Sequence, residues 1–151
     1  RKKGNFFWWQ KDIVLEGKKR YLRVIMETNV VLPDTGVVRV SYEGPPSESG
    51  IVFFGERVVE PILIRSRMPG DEIRTAFGAK SLKKLMSEWG VSEGARLNIP
   101  ILEDRSGIIG VWGKPFGYAN AVAAIHQHAD TIYKSSKSTK LMFFSLTKNG
   151  E

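Results

Sequence analysis

Residues 61–73, PILIRSRMPGDEI, contain the pattern from which the fold of this chain is read most directly. A proline followed by an apolar run predicts a strand start or an edge strand, because proline has no N–H to donate to a ladder. Pro69 and Gly70 then predict a turn, since proline presets φ and glycine tolerates left-handed backbone. The segment therefore indicates a strand and a sharp bend, with Arg65 and Arg67 just before the bend.

The hydrophobic period changes after the bend and predicts a helix. Ser81 is the expected N-cap, and Gly90 suits the left-handed residue that ends many helices. A second helical turn is predicted to start at Ser92. The expected apolar face, spaced i, i+3, i+4 and i+7, consists of Leu82, Leu85, Met86 and Trp89.

Strand patterns outnumber helical ones along the chain. The fold class expected is therefore α+β, with mixed, mostly antiparallel strands in a sandwich-like arrangement and one or two short helices around 80–97. Residues 119–130 are open between helix and strand. Further strands are predicted at 51–54, 60–66, 98–104, 108–113 and 141–147.

Composition limits the classes of function. The 151 residues include no Cys, which excludes disulfides, thiolate nucleophiles and zinc sites built on Cys. The net charge of +7 favours a polyanionic partner such as nucleic acid, and no apolar run is long enough to cross a membrane. We expect a cytoplasmic protein, with 1–12 as the cut edge of a longer protein or a linker, 13–147 as a single domain and 148–151 as a tail.

Positive side chains are concentrated between Arg57 and Lys84. If the strand extends through Arg65 and Arg67, both leave the same sheet face, where two guanidinium groups would suit adjacent phosphates. Lysines at the start of the predicted helix add charge where the helix dipole is already positive. The alternative is that these cations are solvated or pair with nearby carboxylates. The candidate phosphate-binding residues are Arg65, Arg67, Arg74, Lys80, Lys83 and Lys84.

Pro69, Gly70 and Asp71 are interpreted as structural turn residues. We expect Asp71 to accept backbone N–H bonds in the turn or to pair with a nearby Arg. A role as general acid or base needs a second titrating partner and a cleft, and the sequence offers no obvious partner. No catalytic residue is predicted.

His126 and His128 could place two imidazoles on one strand face as metal ligands, but the spacing offers no third and fourth ligand. We interpret them as exposed or locally bonded histidines and predict no metal site. Glu103 and Asp104, beside Arg105-Ser106-Gly107, are typical of a hairpin turn. The aromatic run at 6–9 could stack on bases, although packing against protein is favoured.

Three segments in series carry a resemblance to a known family: 61–73 as quoted above, GAKSLKKLMSEWGV (78–91) and IPILEDRSGIIGVWG (99–113). They match an Arg-x-Arg-x-x-Gly-Asp stretch, a Gly-x-Lys helix start, and a strand pair with an acidic turn. In this order the chain resembles the C-terminal domain of tRNA(Ile)-lysidine synthetase. The motif-bearing core is 60–113, and 114–151 depart from the family pattern.

The resemblance implies a function. Such an enzyme activates a cytidine in the anticodon loop of an isoleucine tRNA with ATP and joins lysine to it. Its C-terminal domain contacts tRNA, whereas catalysis belongs to an N-terminal domain with a Ser-Gly-Gly-x-Asp-Ser loop, which these residues lack. We therefore expect a non-catalytic tRNA-binding domain without a cofactor of its own. ATP and Mg would serve the missing catalytic domain, which is itself an expected partner, and a homodimer is left open.

Two other functions remain as alternatives. One is an interdomain or protein-interaction module whose basic charge is incidental. The other is a small enzyme that uses Asp71, Glu103 or the histidine pair, and it is the weakest because no nucleophile, metal set or phosphate loop converges in the sequence.

Overall fold

The computed structural model describes residues 13–15, 18–20, 22–25, 29–32, 35–133 and 140–148. Among them, two α-helices lie with four short 3₁₀ turns: α1 (Leu82–Glu88), α2 (Ala129–Ile132), η1 (Gly55–Arg57), η2 (Glu93–Asn98), η3 (Lys114–Phe116) and η4 (Ala124–His126). The strands are β1 (Ile13–Leu15), β2 (Lys18–Arg20), β3 (Leu22–Ile25), β4 (Asn29–Leu32), β5 (Gly36–Ser41), β6 (Ile51–Phe54), β7 (Ile62–Arg65), β8 (Glu72–Thr75), β9 (Gly78–Ser81), β10 (Ile101–Asp104), β11 (Gly107–Trp112), β12 (Asn120–Val122) and β13 (Leu141–Lys148).

The larger sheet carries the segments that were most distinctive in the sequence. Its strand order is β3-β7-β10-β11-β8-β9, with β12 also paired to β11. Its pairs are antiparallel except β8 with β11, which is parallel. The predicted hairpin is present as β10 and β11. The hairpin of β8 and β9 forms one edge of this sheet, and α1 follows it directly.

The second sheet has the order β4-β5-β13-β6 and is antiparallel throughout. A separate hairpin is formed by β1 and β2. The predicted α+β class with mostly antiparallel strands is therefore confirmed.

The core lies between the two larger sheets, and each sheet also has a second covered face. Phe53 and Phe144 of the four-stranded sheet pack in one cluster with Ile64 and Leu102 of the larger sheet. The alternate residues of β6 and β13 pack in another cluster with Ala129 of α2. Because both faces are covered, these strands are continuously apolar rather than alternating. The order of layers is thus α2, four-stranded sheet, larger sheet, α1.

Helix α1 begins and ends as its sequence predicts. The Ser81 hydroxyl accepts the N–H of Lys84 at 3.1 Å as N-cap. At the other end Gly90 has φ +76°, the N–H of Gly90 bonds Ser87 O at 3.1 Å, and that of Val91 bonds Met86 O at 2.9 Å. These paired bonds are a Schellman motif, which satisfies the last carbonyls of the helix.

The buried face of α1 contacts the larger sheet. Leu82, Leu85 and Met86 are buried in one cluster with Ile101 and Val111. Trp89 is the C-cap rather than a helical residue, and it packs half-buried at the edge of this cluster. The predicted apolar face is therefore present, with its last member less covered than the other three.

Close packing of the two sheets depends on a glycine in β11. The β10–β11 register skips Ile109, so that this residue forms a bulge opposite Leu102 and Glu103. A Cβ on the next residue, Gly110, would lie 2.7 Å from Cζ of Phe53. The absence of a side chain at this position lets the Phe53 ring approach the backbone of β11.

Some predictions differ from the structure, and others concern residues that the structure does not describe. The ambiguous segment 119–130 is neither one helix nor one strand, since it contains β12, η4 and the start of α2. The aromatic residues at 6–9 lie outside the described residues. Within the described part, no helix is long and apolar enough to cross a membrane.

Candidate nucleic-acid interface

Arg65, the last residue of β7, is buried and held by carboxylates. The residue is 3% exposed, and its Nε donates to Glu103 Oε1 at 2.8 Å. Its two terminal nitrogens donate to the two oxygens of Asp71 at 2.9 and 3.0 Å, and one also donates to Ser66 O at 3.0 Å. Burial alone lowers the pKa of Arg65, but the hydrogen bonds to Asp71 and Glu103 outweigh it and raise the pKa. The geometry favours a structural role rather than a phosphate contact.

The turn after β7 has the backbone that its sequence predicts. The N–H of Asp71 bonds Met68 O at 3.2 Å, and Gly70 has φ +86°. Proline second and a left-handed glycine third are the requirements of a type II turn. The Asp71 carboxylate also accepts the N–H of Met68 at 2.8 Å. Asp71 thus both receives a backbone N–H and pairs with an arginine, as expected of a structural turn residue.

Arg65 and Arg67 do not lie on one face of a strand, contrary to the prediction. Strand β7 ends at Arg65, so Arg67 lies beyond the strand and does not follow its alternation. Arg67 is half-buried. The two guanidinium groups are therefore not presented side by side on a sheet surface.

At the start of α1, two first-turn N–H groups are bonded within the protein and are not available to an anion, which argues against the predicted anion site. The Ser81 hydroxyl takes one first-turn N–H, and the N–H of Leu82 bonds Asp71 O at 3.0 Å. Lys80 is not in the helix, because it is the third residue of β9. It forms an ion pair with Glu88, the last residue of α1. The hydrogen bond from Lys80, together with the charges of Lys80 and Lys84, lowers the pKa of Glu88.

Three of the predicted cations face solvent. Arg74 is exposed on β8, and Lys83 and Lys84 are exposed on α1. Among the described residues, neither Arg74 nor Lys83 forms an ion pair. Exposure leaves these charges accessible to phosphates, although the charge of Lys84 also acts on Glu88. We call Arg74, Lys83 and Lys84 the exposed cations.

An exposed aromatic residue lies between Arg74 and Lys83 in the sequence and was not singled out from the sequence. Phe77 occupies the turn between β8 and β9 and is 99% exposed. Thr75 Oγ1 accepts the N–H of Phe77 at 3.0 Å and donates to Gly78 O at 2.8 Å, which orders the turn. The signal that could have indicated it is a lone aromatic between Thr75 and Gly78 in a two-residue hairpin loop.

The two histidines are not brought together as metal ligands. His126 is fully buried, and its Nδ1 accepts the N–H of Phe54 at 3.1 Å, whereas His128 is exposed. Burial lowers the pKa of His126 to about 4. No cluster of three or more His, Asp or Glu able to hold a metal occurs among the residues that the structure describes.

The carboxylates considered for catalysis serve structural bonds. Asp71 and Glu103 converge on Arg65, which neutralises both. Asp104 accepts the N–H and the hydroxyl of Ser106 at 2.8 and 2.6 Å, as a hairpin turn requires, and the N–H of Val59 at 2.8 Å. The arrangement supplies ordered turns rather than a general acid and base.

Comparisons with known proteins identify relatives of this chain. Residues 62–124 match the family model described as TilS substrate C-terminal domain. The tRNA(Ile)-lysidine synthase of Treponema denticola is 41% identical over 61 residues, 40% of this chain and 13% of that protein. The tRNA(Ile)-lysidine synthase of Clostridioides difficile is 36% identical over 92 residues, 61% of this chain and 19% of that protein. The chain thus spans less than a fifth of the length of these curated relatives.

A solved structure supports the fold. The structure titled "Crystal structure of TILS C-terminal domain" superposes with a TM-score of 0.63 at 18% identity and covers 88% of this chain and 100% of that chain. Together the matches confirm the resemblance to the C-terminal domain of tRNA(Ile)-lysidine synthases that the motif series indicated.

Proposed function

We propose that this chain is the non-catalytic, tRNA-binding C-terminal domain of a tRNA(Ile)-lysidine synthase, and that the exposed cations hold the phosphate backbone of an isoleucine tRNA. The proposal is supported by where the exposed cations lie in the sequence. The segment that matches the family, 62–124, also contains Arg74, Lys83 and Lys84, whose side chains face solvent. A net charge of +7 adds a general attraction for a polyanion.

The chain's own chemistry in this proposal is binding and positioning. Arg65, Asp71 and Glu103 fix the end of β7 against β10 and the following turn, so that the β8–β9 hairpin has a defined origin. The exposed cations then meet phosphates at fixed places, and each contact releases condensed counterions from the RNA. Counterion release makes such binding depend steeply on salt.

The reaction belongs, in this proposal, to the rest of a longer protein. An N-terminal domain would bind ATP with Mg, activate the anticodon cytidine and join lysine to it. The present domain would lengthen the time that the tRNA stays bound to that enzyme in the cytoplasm. Resemblance to the synthases supports this division of roles.

Salt dependence of tRNA binding tests the proposal. The 151-residue chain is titrated into labelled isoleucine tRNA, with fluorescence anisotropy read at several salt concentrations. If three cations contact phosphates, the slope of log affinity against log salt is about −2 to −3. Binding that is absent, or that has a slope near zero, contradicts the proposal and favours a protein-interaction module with incidental charge.

A further inference from the structure

We propose that Phe77 stacks on an unpaired nucleobase of the bound tRNA while Arg74 contacts the adjoining phosphate. The inference rests on the proposed function and adds a named contact to it. Phe77 is 99% exposed, more than any other large apolar residue whose exposure the structure describes. Its ring contributes nothing to the core, which leaves the whole ring accessible to a partner.

The tip that carries the ring is ordered and projects from the fold. Both hydrogen bonds of Thr75 Oγ1 close the turn around Phe77. Gly78 takes the left-handed backbone, with φ +115°, and a Cβ built on it meets nothing within 4 Å. The backbone of an ordered tip loses little conformational freedom on binding.

The charge of the β8–β9 hairpin and of the helix that follows it indicates the kind of partner. Residues 72–88 carry four cations, Arg74, Lys80, Lys83 and Lys84, with one carboxylate at each end, Glu72 and Glu88. Lys80 is partly neutralised by Glu88, but the others are exposed. An exposed aromatic ring on a hairpin that also carries an exposed arginine complements a nucleobase and its phosphate.

Geometry favours an unpaired base over a duplex. Inside an RNA double helix the faces of the bases are covered by their neighbours, and only the loops, bulges and ends of the RNA offer a free face to a side chain. Phe77 sits at the end of a two-stranded ribbon, so a single base is the size of target that its ring can cover. Arg74, three residues earlier on β8, is exposed and able to reach a neighbouring phosphate.

The test compares Phe77→Ala, Phe77→Leu and Phe77→Trp with the parent chain, using anisotropy with isoleucine tRNA and with a long RNA duplex, in which terminal bases are a negligible fraction of the binding sites. Phe77→Ala should weaken tRNA binding about 5-fold to 150-fold, the range for loss of one stacked base, with an unchanged salt slope. Phe77→Trp should bind at least as tightly as the parent, and Phe77→Leu should lose affinity because it lacks a π-face. Duplex binding should not change.

The control is Ile125→Ala, which removes another exposed apolar side chain and should leave affinity unchanged. Thermal melts should show that each Phe77 variant folds like the parent, because the ring makes no core contact. Equal affinity for Phe77→Leu and Phe77→Trp, or equal loss on the duplex, overturns stacking on an unpaired base. If the parent binds tRNA with a steep salt slope but Phe77→Ala matches it, this inference fails and the proposed function stands. No tRNA binding by the parent overturns both.

Discussion

Arg65 and Asp71 form a bidentate ion pair, with nitrogen–oxygen distances of 2.9 and 3.0 Å, across the turn that leads from β7 to β8. The pair is buried, and Glu103 from β10 completes the coordination of the guanidinium. A hydrogen-bonded buried charge is costly to leave alone, because it has lost its water and cannot recover it. The pair therefore makes the turn, the strand end and the neighbouring strand depend on one another.

Asp71→Ala should destabilise the domain by about 3 kcal/mol, because Arg65 remains buried with Glu103 as its only carboxylate partner in the described network. The matched control is Lys80→Ala, which breaks the more exposed pair with Glu88 and should cost much less, because solvent screens that pair. Urea denaturation measures both. Equal small losses would show that the buried pair does not hold the turn.

Gly110→Ala should destabilise by about 1–3 kcal/mol, because the new Cβ would lie 2.7 Å from the ring of Phe53 and force the sheets to shift. Gly94→Ala is the control, since a Cβ there meets nothing within 4 Å. It should be close to neutral. Thermal melts of the two variants test the account of sheet packing, and a parent-like stability of Gly110→Ala would refute it.

Stability should fall as the medium is acidified, in part because of His126. Its pKa is lowered by burial to about 4 from an ordinary value of 6.5. Between these two pH values, His126 is therefore protonated in the unfolded chain and neutral in the folded chain. The contribution of neutral His126 is complete above about pH 6.5 and is lost as the pH falls toward about 4.

The measurement is the free energy of unfolding at about pH 7 and about pH 5. His126→Gln should reduce the parent's loss over this interval by about 1–2 kcal/mol, because the replacement does not titrate there. His128→Asn, which replaces the exposed histidine at a left-handed position that Asn tolerates, should keep the parent's loss. Identical pH dependence in all three proteins would show that His126 is not the responsible group.

Local patterns predicted the elements whose determinants lie close together in the chain. Helix α1 follows from its apolar spacing, from Ser81 at its start and from Gly90 at its end. The turn at Pro69 and Gly70 follows equally from local backbone preferences. Each of these features depends on residues within one or two turns, so an isolated sequence contains the necessary information.

Burial set by distant partners could not be predicted in this way. Arg65 has the appearance of an exposed cation until Glu103, 38 residues further along the chain, is placed beside it. His126 is buried by contact with Phe54, 72 residues away. Phe77 shows the opposite case, because its exposure depends on the projection of the β8–β9 hairpin rather than on its hydrophobicity. Pairing between strands, which the sequence does not state, decides all three.

The central claim is that the exposed cations within 62–124 hold the RNA backbone, and matched charge removal tests it most directly. Arg74→Gln with Lys83→Gln removes two of them, whereas Arg39→Gln with Lys140→Gln removes an exposed arginine and lysine outside the family match. With isoleucine tRNA, the first pair should make the slope of log affinity against log salt shallower by about 1.5, and the second pair should leave the slope unchanged. Equal changes for the two pairs, or no change for either, would contradict the account.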